Sequence, residues 1–260
     1  MSIRLDRAAD GIWTLELCRP EKLNALTDDM VRQLDDMLTD IGRQPACRVL
    51  LLTGAGRGFC TGFDLGLARH APGSDDGEAA AWTLRQEAFA GLVTRLRSLR
   101  QPVVAAVNGA ASGAGLGLAL ACDLRIASST ARFNAAFIKV GMSGCDIGVS
   151  WLLPRCIGTA HAFEMLLTGR MVEADEAERI GLVSRVVPAD GLLDEARALA
   201  AVVAGHEAFA VWMTKRGMWA NLEAPSLQAA LELENRTQIL TRTTGRLAEA
   251  ARALTGGGAG

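Results

Sequence analysis

Hydrophobic residues change their period several times along the chain, and each change marks an element. Trp13, Leu15 and Leu17 alternate with Thr14 and Glu16, the period of a strand over 12–17. Two short runs, 48–53 around Val49-Leu50-Leu51-Leu52 and 103–107 around Val103-Val104, are apolar almost throughout, as in strands covered on both faces. Thr27 caps a helical pattern reaching about Ile41, 79–99 reads as a long helix after the polar stretch 72–77, and 183–187 is a further strand. From 190 to about 254 the pattern is wholly helical, and the Gly-rich tail 255–260 is expected to be disordered. Strands alternating with helices, then helices alone, predict an α/β core over 1–189 and a helical C-terminal region over 190–254.

Residues 102–122 carry no charge over a length that could cross a bilayer, but Asn108-Gly109 divides them into a strand and a helix over 116–121. No membrane span is expected. The stretch 109–117 then reads as a Gly-rich connection from strand to helix, and 48–53 runs in the same way into Gly54-Ala55-Gly56-Arg57-Gly58. Two Gly-rich turns therefore follow two buried strands.

With 260 residues, 50% hydrophobic and 22% charged, the chain is too apolar to be disordered and long enough to bury a large core. The formal charge of -2 supplies no basic field for nucleic acid. The six cysteines form no C-x-x-C pair and read as reduced core residues. Charges at Arg4, Asp6, Arg7, Asp10, Glu16 and Arg19 leave no signal-peptide core, so a cytoplasmic location is expected. The chain lacks H-E-x-x-H, G-x-S-x-G, a P-loop lysine and the third glycine of a dinucleotide fingerprint. Metal and serine-nucleophile chemistry are not expected.

Two strand-to-helix turns can bring unpaired backbone N–H groups to one point, the arrangement of an oxyanion hole. The same glycines can also serve only tight turns and close packing, and spacing alone leaves both readings open.

The residues themselves add a resemblance. Arg19-Pro20-Glu21-Lys22-Leu23-Asn24-Ala25-Leu26, then 54–65 ending in Thr61-Gly62-Phe63-Asp64-Leu65, then Asn108-Gly109 with Gly113 and Cys122-Asp123, then Trp151-Leu152-Leu153-Pro154-Arg155 resemble the enoyl-CoA hydratase/isomerase (crotonase) superfamily. The likeness runs in order from about Ile3 into the C-terminal helices. It implies a crotonase-like (ClpP/crotonase) α/β fold of repeated β-β-α units, and a helical C-terminal region that assembles a homotrimer or a hexamer built as a dimer of trimers. It also implies an acyl-CoA thioester as ligand, with no cofactor beyond the coenzyme A of that substrate.

By the same resemblance, the thioester oxygen is held by the N–H groups of Phe63 and Ala114, the latter in Gly113-Ala114-Gly115. Alanine replaces a more usual glycine and keeps the donor if its φ is negative. Lys22 and Leu23 match the stretch that lines coenzyme A, and Thr61, Asp64 and Leu65 match the turn that receives its adenine. Lys215 falls where the C-terminal helices bring a cation to a CoA phosphate; a solvated helix face is the other reading for Lys215 and Arg216.

The two glutamates that hydratases of this superfamily use correspond to Gly117 and Phe137, and neither side chain transfers a proton. Asp146 lies where double-bond isomerases of the superfamily carry a catalytic aspartate, eight residues before Pro154. A lone carboxylate can carry one proton between two carbons, whereas hydration uses two acids. Asp146 can equally cap the helix beginning near Gly148. Isomerisation is thus expected over hydration, with a noncatalytic acyl-CoA-binding protein, or a hydratase using a non-standard acid, as alternatives. His70, in the loop that together with the helix after it shapes the acyl pocket, reads as a surface histidine and a secondary acid or base at most.

Overall fold

The computed structural model describes residues 2–67 and 77–256. Two compact units divide the chain at 201/202, so the onset of continuous helix at 190 does not coincide with the edge of the first unit. That unit runs β1 (Ile3–Arg7), β2 (Ile12–Leu17), α1 (Asp28–Arg43), β3 (Val49–Gly54), β4 (Gly58–Cys60), α2 (Glu78–Ser98), β5 (Val103–Val107), β6 (Ala110–Ser112), α3 (Ala114–Ala121), β7 (Leu124–Ser128), β8 (Arg132–Asn134), α4 (Val149–Thr168), β9 (Val172–Glu173), α5 (Ala174–Arg179) and β10 (Arg185–Val187), and ends within α6 (Leu192–Ala204).

Six strands form the larger sheet in the order β1-β2-β3-β5-β7-β10, and four short ones form a second sheet, β4-β6-β8-β9. Every pair of the large sheet after β1–β2 is parallel. Its central strands β3 and β5 are buried at every position, as continuous apolar runs require. Each of β3, β5 and β7 is followed at once by a short strand of the second sheet, β4, β6 and β8, and then by a helix. This is the β-β-α repetition of a crotonase-like α/β fold.

The stretch 109–117 is more than a connection. Ala110–Ser112 forms β6, and α3 begins at Ala114, two residues before the expected start. Three small residues carry no β-branched or alternating signal, so only their pairing with Gly58, Cys60 and 132–134 reveals the strand. Closeness makes glycine obligatory at 115, where a Cβ would stand 1.9 Å from Cys60 O. The first turn of α3 is thereby pressed onto the end of β4.

Thr27 Oγ1 accepts from Met30 N at 3.2 Å and starts α1, whose Met30, Val31, Leu34, Leu38 and Ile41 form one buried stripe. Arg95 of α2 reaches Asp35 of α1 at 2.8 Å, and Arg85 pairs with Asp28. No cysteine is in a disulfide, and burial pushes the Cys47 and Cys60 thiols up to about 12. Cys145 departs from the expectation of a core residue: it is exposed in the loop before α4. No helix among the described residues is long and apolar enough to cross a membrane.

The second unit contains α7 (Ala208–Asn221), α8 (Leu227–Arg242) and α9 (Arg246–Gly256). Glu207 accepts from Ala210 N at 2.7 Å to cap α7, and Ser226 from Ala229 N at 3.2 Å to cap α8. Asn221 joins α7 to α8 by donating to Glu234 at 2.9 Å. Thr255 and Gly256 belong to α9, so the helical pattern outruns the tail expected from 255; residues 257–260 lie outside the described residues.

Candidate active site

Beyond Cys60 the chain turns through Thr61 and Gly62, and the positive φ of Gly62 (90°) is one that side chains other than glycine adopt only under strain. A Cβ at Gly62 would lie 2.9 Å from Ser112 O and 3.0 Å from Ala114 N, so the turn after β4 rests directly on the turn after β6. Leu26 N donates to Gly62 O at 2.7 Å and Asp64 N donates to Leu26 O at 2.9 Å. That parallel bridge uses the flanking residues and turns the Phe63 N–H the other way. Ala114 follows the N-cap Gly113 and opens α3, where helix N–H groups have no intrahelical acceptor. Neither the Phe63 nor the Ala114 N–H has a hydrogen-bond partner among the described residues. Ala114 is not among the residues with positive φ, so alanine carries its donor there without strain.

Lys22, Leu23 and Thr61 meet along one edge of these turns. Leu23 and Asn24 take consecutive left-handed conformations (φ 49° and 58°), and Asn24 accepts from Arg19 N while donating to Ala55 O and Gly58 O. Thr61 N donates to Leu23 O at 3.1 Å, and Lys22 is exposed. Asp64 is committed to Arg19, whose Nη2 donates to it at 3.0 Å. Partial burial pushes the Asp64 carboxyl up, but hydrogen bonds from Arg19 and the Gly66 amide, with the charges of Arg19 and Lys22, hold it below its ordinary value. Leu65 is exposed.

A cavity of about 260 Å³ opens beside the two turns, walled by Phe63, Trp82, Phe89, Ala114, Phe137 and Asp146 among others. Phe63 meets Phe89 edge-on at 5.5 Å, and the Arg85 guanidinium lies 5.2 Å from the Phe63 ring centroid and 5.0 Å from that of Trp82. Trp82, Arg85, Gln86 and Phe89 come from one face of α2 and were not singled out in the sequence; their spacing of three, four and seven is the signal that could have found them.

Gly117 does not reach the cavity. A Cβ there would stand 2.5 Å from Ile147 Cδ1, so Ile147 fills the space that a side chain at 117 would need and forms the wall itself. Ile147 does so at φ 33°, an unusual conformation for a β-branched residue. Phe137 is buried, its ring 3.5 Å from where a Gly113 Cβ would be.

Asp146 does not cap α4. Gly148 is the N-cap, with no side-chain hydrogen bond, and Asp146 meets the helix only through its main-chain oxygen, which accepts from Val149 N at 2.8 Å. Its carboxylate lines the cavity, where Oδ1 accepts from Ile147 N at 2.7 Å and from Gln86 Nε2. It is the only carboxylate on the wall among the described residues. Lys215 is buried in α7 of the second unit, which excludes the solvated reading for it, while Arg216 is exposed. His70 lies outside the described residues.

The sequence profile of the enoyl-CoA hydratase/isomerase family matches residues 7–253. The chain belongs to that family. It is 45% identical over 232 residues to a protein named a probable enoyl-CoA hydratase in Mycobacterium tuberculosis, covering 89% of this chain and 81% of the other. It is 40% identical over 250 residues to the 1,2-epoxyphenylacetyl-CoA isomerase of Escherichia coli, covering 96% and 92%. The crystal structure of a probable enoyl-CoA hydratase/isomerase from Mycobacterium abscessus superposes with a TM-score of 0.90 at 40% identity, covering 98% and 96%. As a member of the enoyl-CoA hydratase/isomerase family, the chain is an acyl-CoA enzyme, and the residues around its cavity bear on which reaction it performs.

Proposed function

We propose that this enzyme moves a double bond in an enoyl-CoA thioester, with Asp146 as the single proton carrier. The observation that carries the reading is the pairing of one wall carboxylate with two unpartnered amides. The thioester oxygen accepts from Phe63 N–H and Ala114 N–H. Asp146 removes a proton from the α carbon of a 3-enoyl group; the C–H electron pair passes into the conjugated system and charge accumulates on the oxygen, forming a dienolate. The same carboxyl returns the proton to the γ carbon, the double bond settles between α and β, and the carboxylate is regenerated. Lys22, Leu23, Thr61, Asp64 and Leu65 hold coenzyme A, with Lys215 serving a phosphate, and the working form is a homotrimer or a dimer of trimers. Likeness to the crystal structure of a monofunctional enoyl-CoA isomerase from M. smegmatis, 43% identical with a TM-score of 0.76 and covering 88% of this chain and 98% of the other, supports this direction.

Hydration needs a second acid, and the two positions that would carry it are Gly117, roofed by Ile147, and Phe137. The same two replacements favour a second reading, an acyl-CoA-binding protein without turnover. Assays with 3-enoyl-CoA thioesters of short, medium and aryl chains separate the readings. Isomerisation that Asp146→Asn reduces by about 10²- to 10⁴-fold, with acyl-CoA affinity and thermal stability kept, supports the proposal. No isomerisation by the wild type, or a wild-type rate in Asp146→Asn, overturns it. An ordinary rate of crotonyl-CoA hydration would show that another acid serves.

A further inference from the structure

We infer that Gln86 is a positioning residue for Asp146, fixing where the free carboxylate oxygen stands; the inference rests on the isomerase reading and deepens it. Two donors from different elements converge on Asp146 Oδ1: the Ile147 amide at 2.7 Å, from the loop before α4, and Gln86 Nε2, from α2. Oδ2 has no hydrogen-bond partner among the described residues. A half-turn of the carboxylate only exchanges two equivalent oxygens, so the two donors fix the place of the free oxygen whichever atom occupies it. A carboxylate offers only acceptors, which fixes the Gln86 amide with its nitrogen toward Asp146. A glutamate at 86 would instead set like charges together.

The holder is itself held. Gln86 lies one turn from Trp82 and three residues from Phe89 on the cavity face of α2, while Phe89, Leu92, Val93 and Leu96 bury the helix. Arg85 and Arg95 tie α2 to Asp28 and Asp35 of α1. When Oδ2 takes the proton, Oδ1 remains an acceptor, so both bonds serve the charged and the neutral carboxyl alike. The site then needs no rearrangement between taking the proton and returning it.

The test uses Gln86→Met, which keeps length and removes the donor, in the full chain with a 3-enoyl-CoA substrate. Misplacement of a reacting group by about 1 Å costs on the order of 10²-fold, so kcat is expected to fall about 10- to 100-fold. Affinity for butyryl-CoA, a saturated ligand without a double bond to move, and the thermal midpoint should stay at wild-type values. On the residual rate of Asp146→Asn, Gln86→Met should have no further effect, because the glutamine acts through that carboxylate. Wild-type kcat in Gln86→Met, a loss confined to butyryl-CoA affinity, or an undiminished further loss on the Asp146→Asn background overturns this inference alone, provided Asp146→Asn itself is impaired. A wild-type rate in Asp146→Asn overturns the isomerase reading and this inference with it.

Discussion

At the scale of single residues, position 117 shows how one side chain decides what another position can be. With Ile147 Cδ1 2.5 Å from the Cβ site of Gly117, a glutamate cannot enter without displacing a wall residue. Gly117→Glu is expected to cost about 1–3 kcal/mol of stability by overpacking and to yield no hydratase, measured by thermal denaturation and a crotonyl-CoA assay. Asp64 gives a pH-dependent counterpart. Its folded carboxyl lies below the ordinary value, so its contribution is present above the unfolded value of about 3.9 and is lost as pH falls through the folded one. The midpoint difference between wild type and Asp64→Asn should therefore be largest near neutrality and close as pH drops below about 4. Had the sequence sufficed, Asp146 would not have stood open between cap and catalyst. A helix pattern locates a start only to within a residue or two, and the cap turned out to be Gly148.

At the scale of elements, β3, β5 and α1 were legible because burial on both faces, or on one stripe, leaves a periodic record. The three-residue strands β4 and β6 leave none, since Gly58 of β4 pairs only with distant Ala110 of β6, and Ala110 in turn with Arg132 of β8. Yet these strands set the separation of the two amides. Gly62→Ala places a methyl within 3.0 Å of Ala114 N at a φ of 90°. The variant should lose about 1–3 kcal/mol of stability and, by forcing the turns apart, at least tenfold in kcat/KM, both read on the same purified protein. The helix α2 was expected to shape the pocket, but which of its faces lines the cavity depended on the turns after β4 and β6.

At the scale of the whole molecule, the sequence carried the family through motifs spread along nearly the full chain, while the boundary at 201/202 left no mark because it falls within the helix α6. α8 has no buried side chain, and Leu227, Ile239 and Leu240 are more than half exposed. Burying a side chain of this size is worth about 1.5–3 kcal/mol, so assembly would recover several such contributions. Sedimentation at micromolar concentration should give three or six times the chain mass, and a stable monomer would contradict the proposed assembly. A division of labour between elements has a longer reach. The two amides are set by main-chain contact between the turns themselves, Gly62 against Ser112 O and Ala114 N, whereas Trp82 and Phe89 are side chains of α2, and Phe89 meets the first turn through the Phe63 ring. If the two amides hold the thioester as proposed, selection can exchange Trp82 and try new acyl groups without touching that grip.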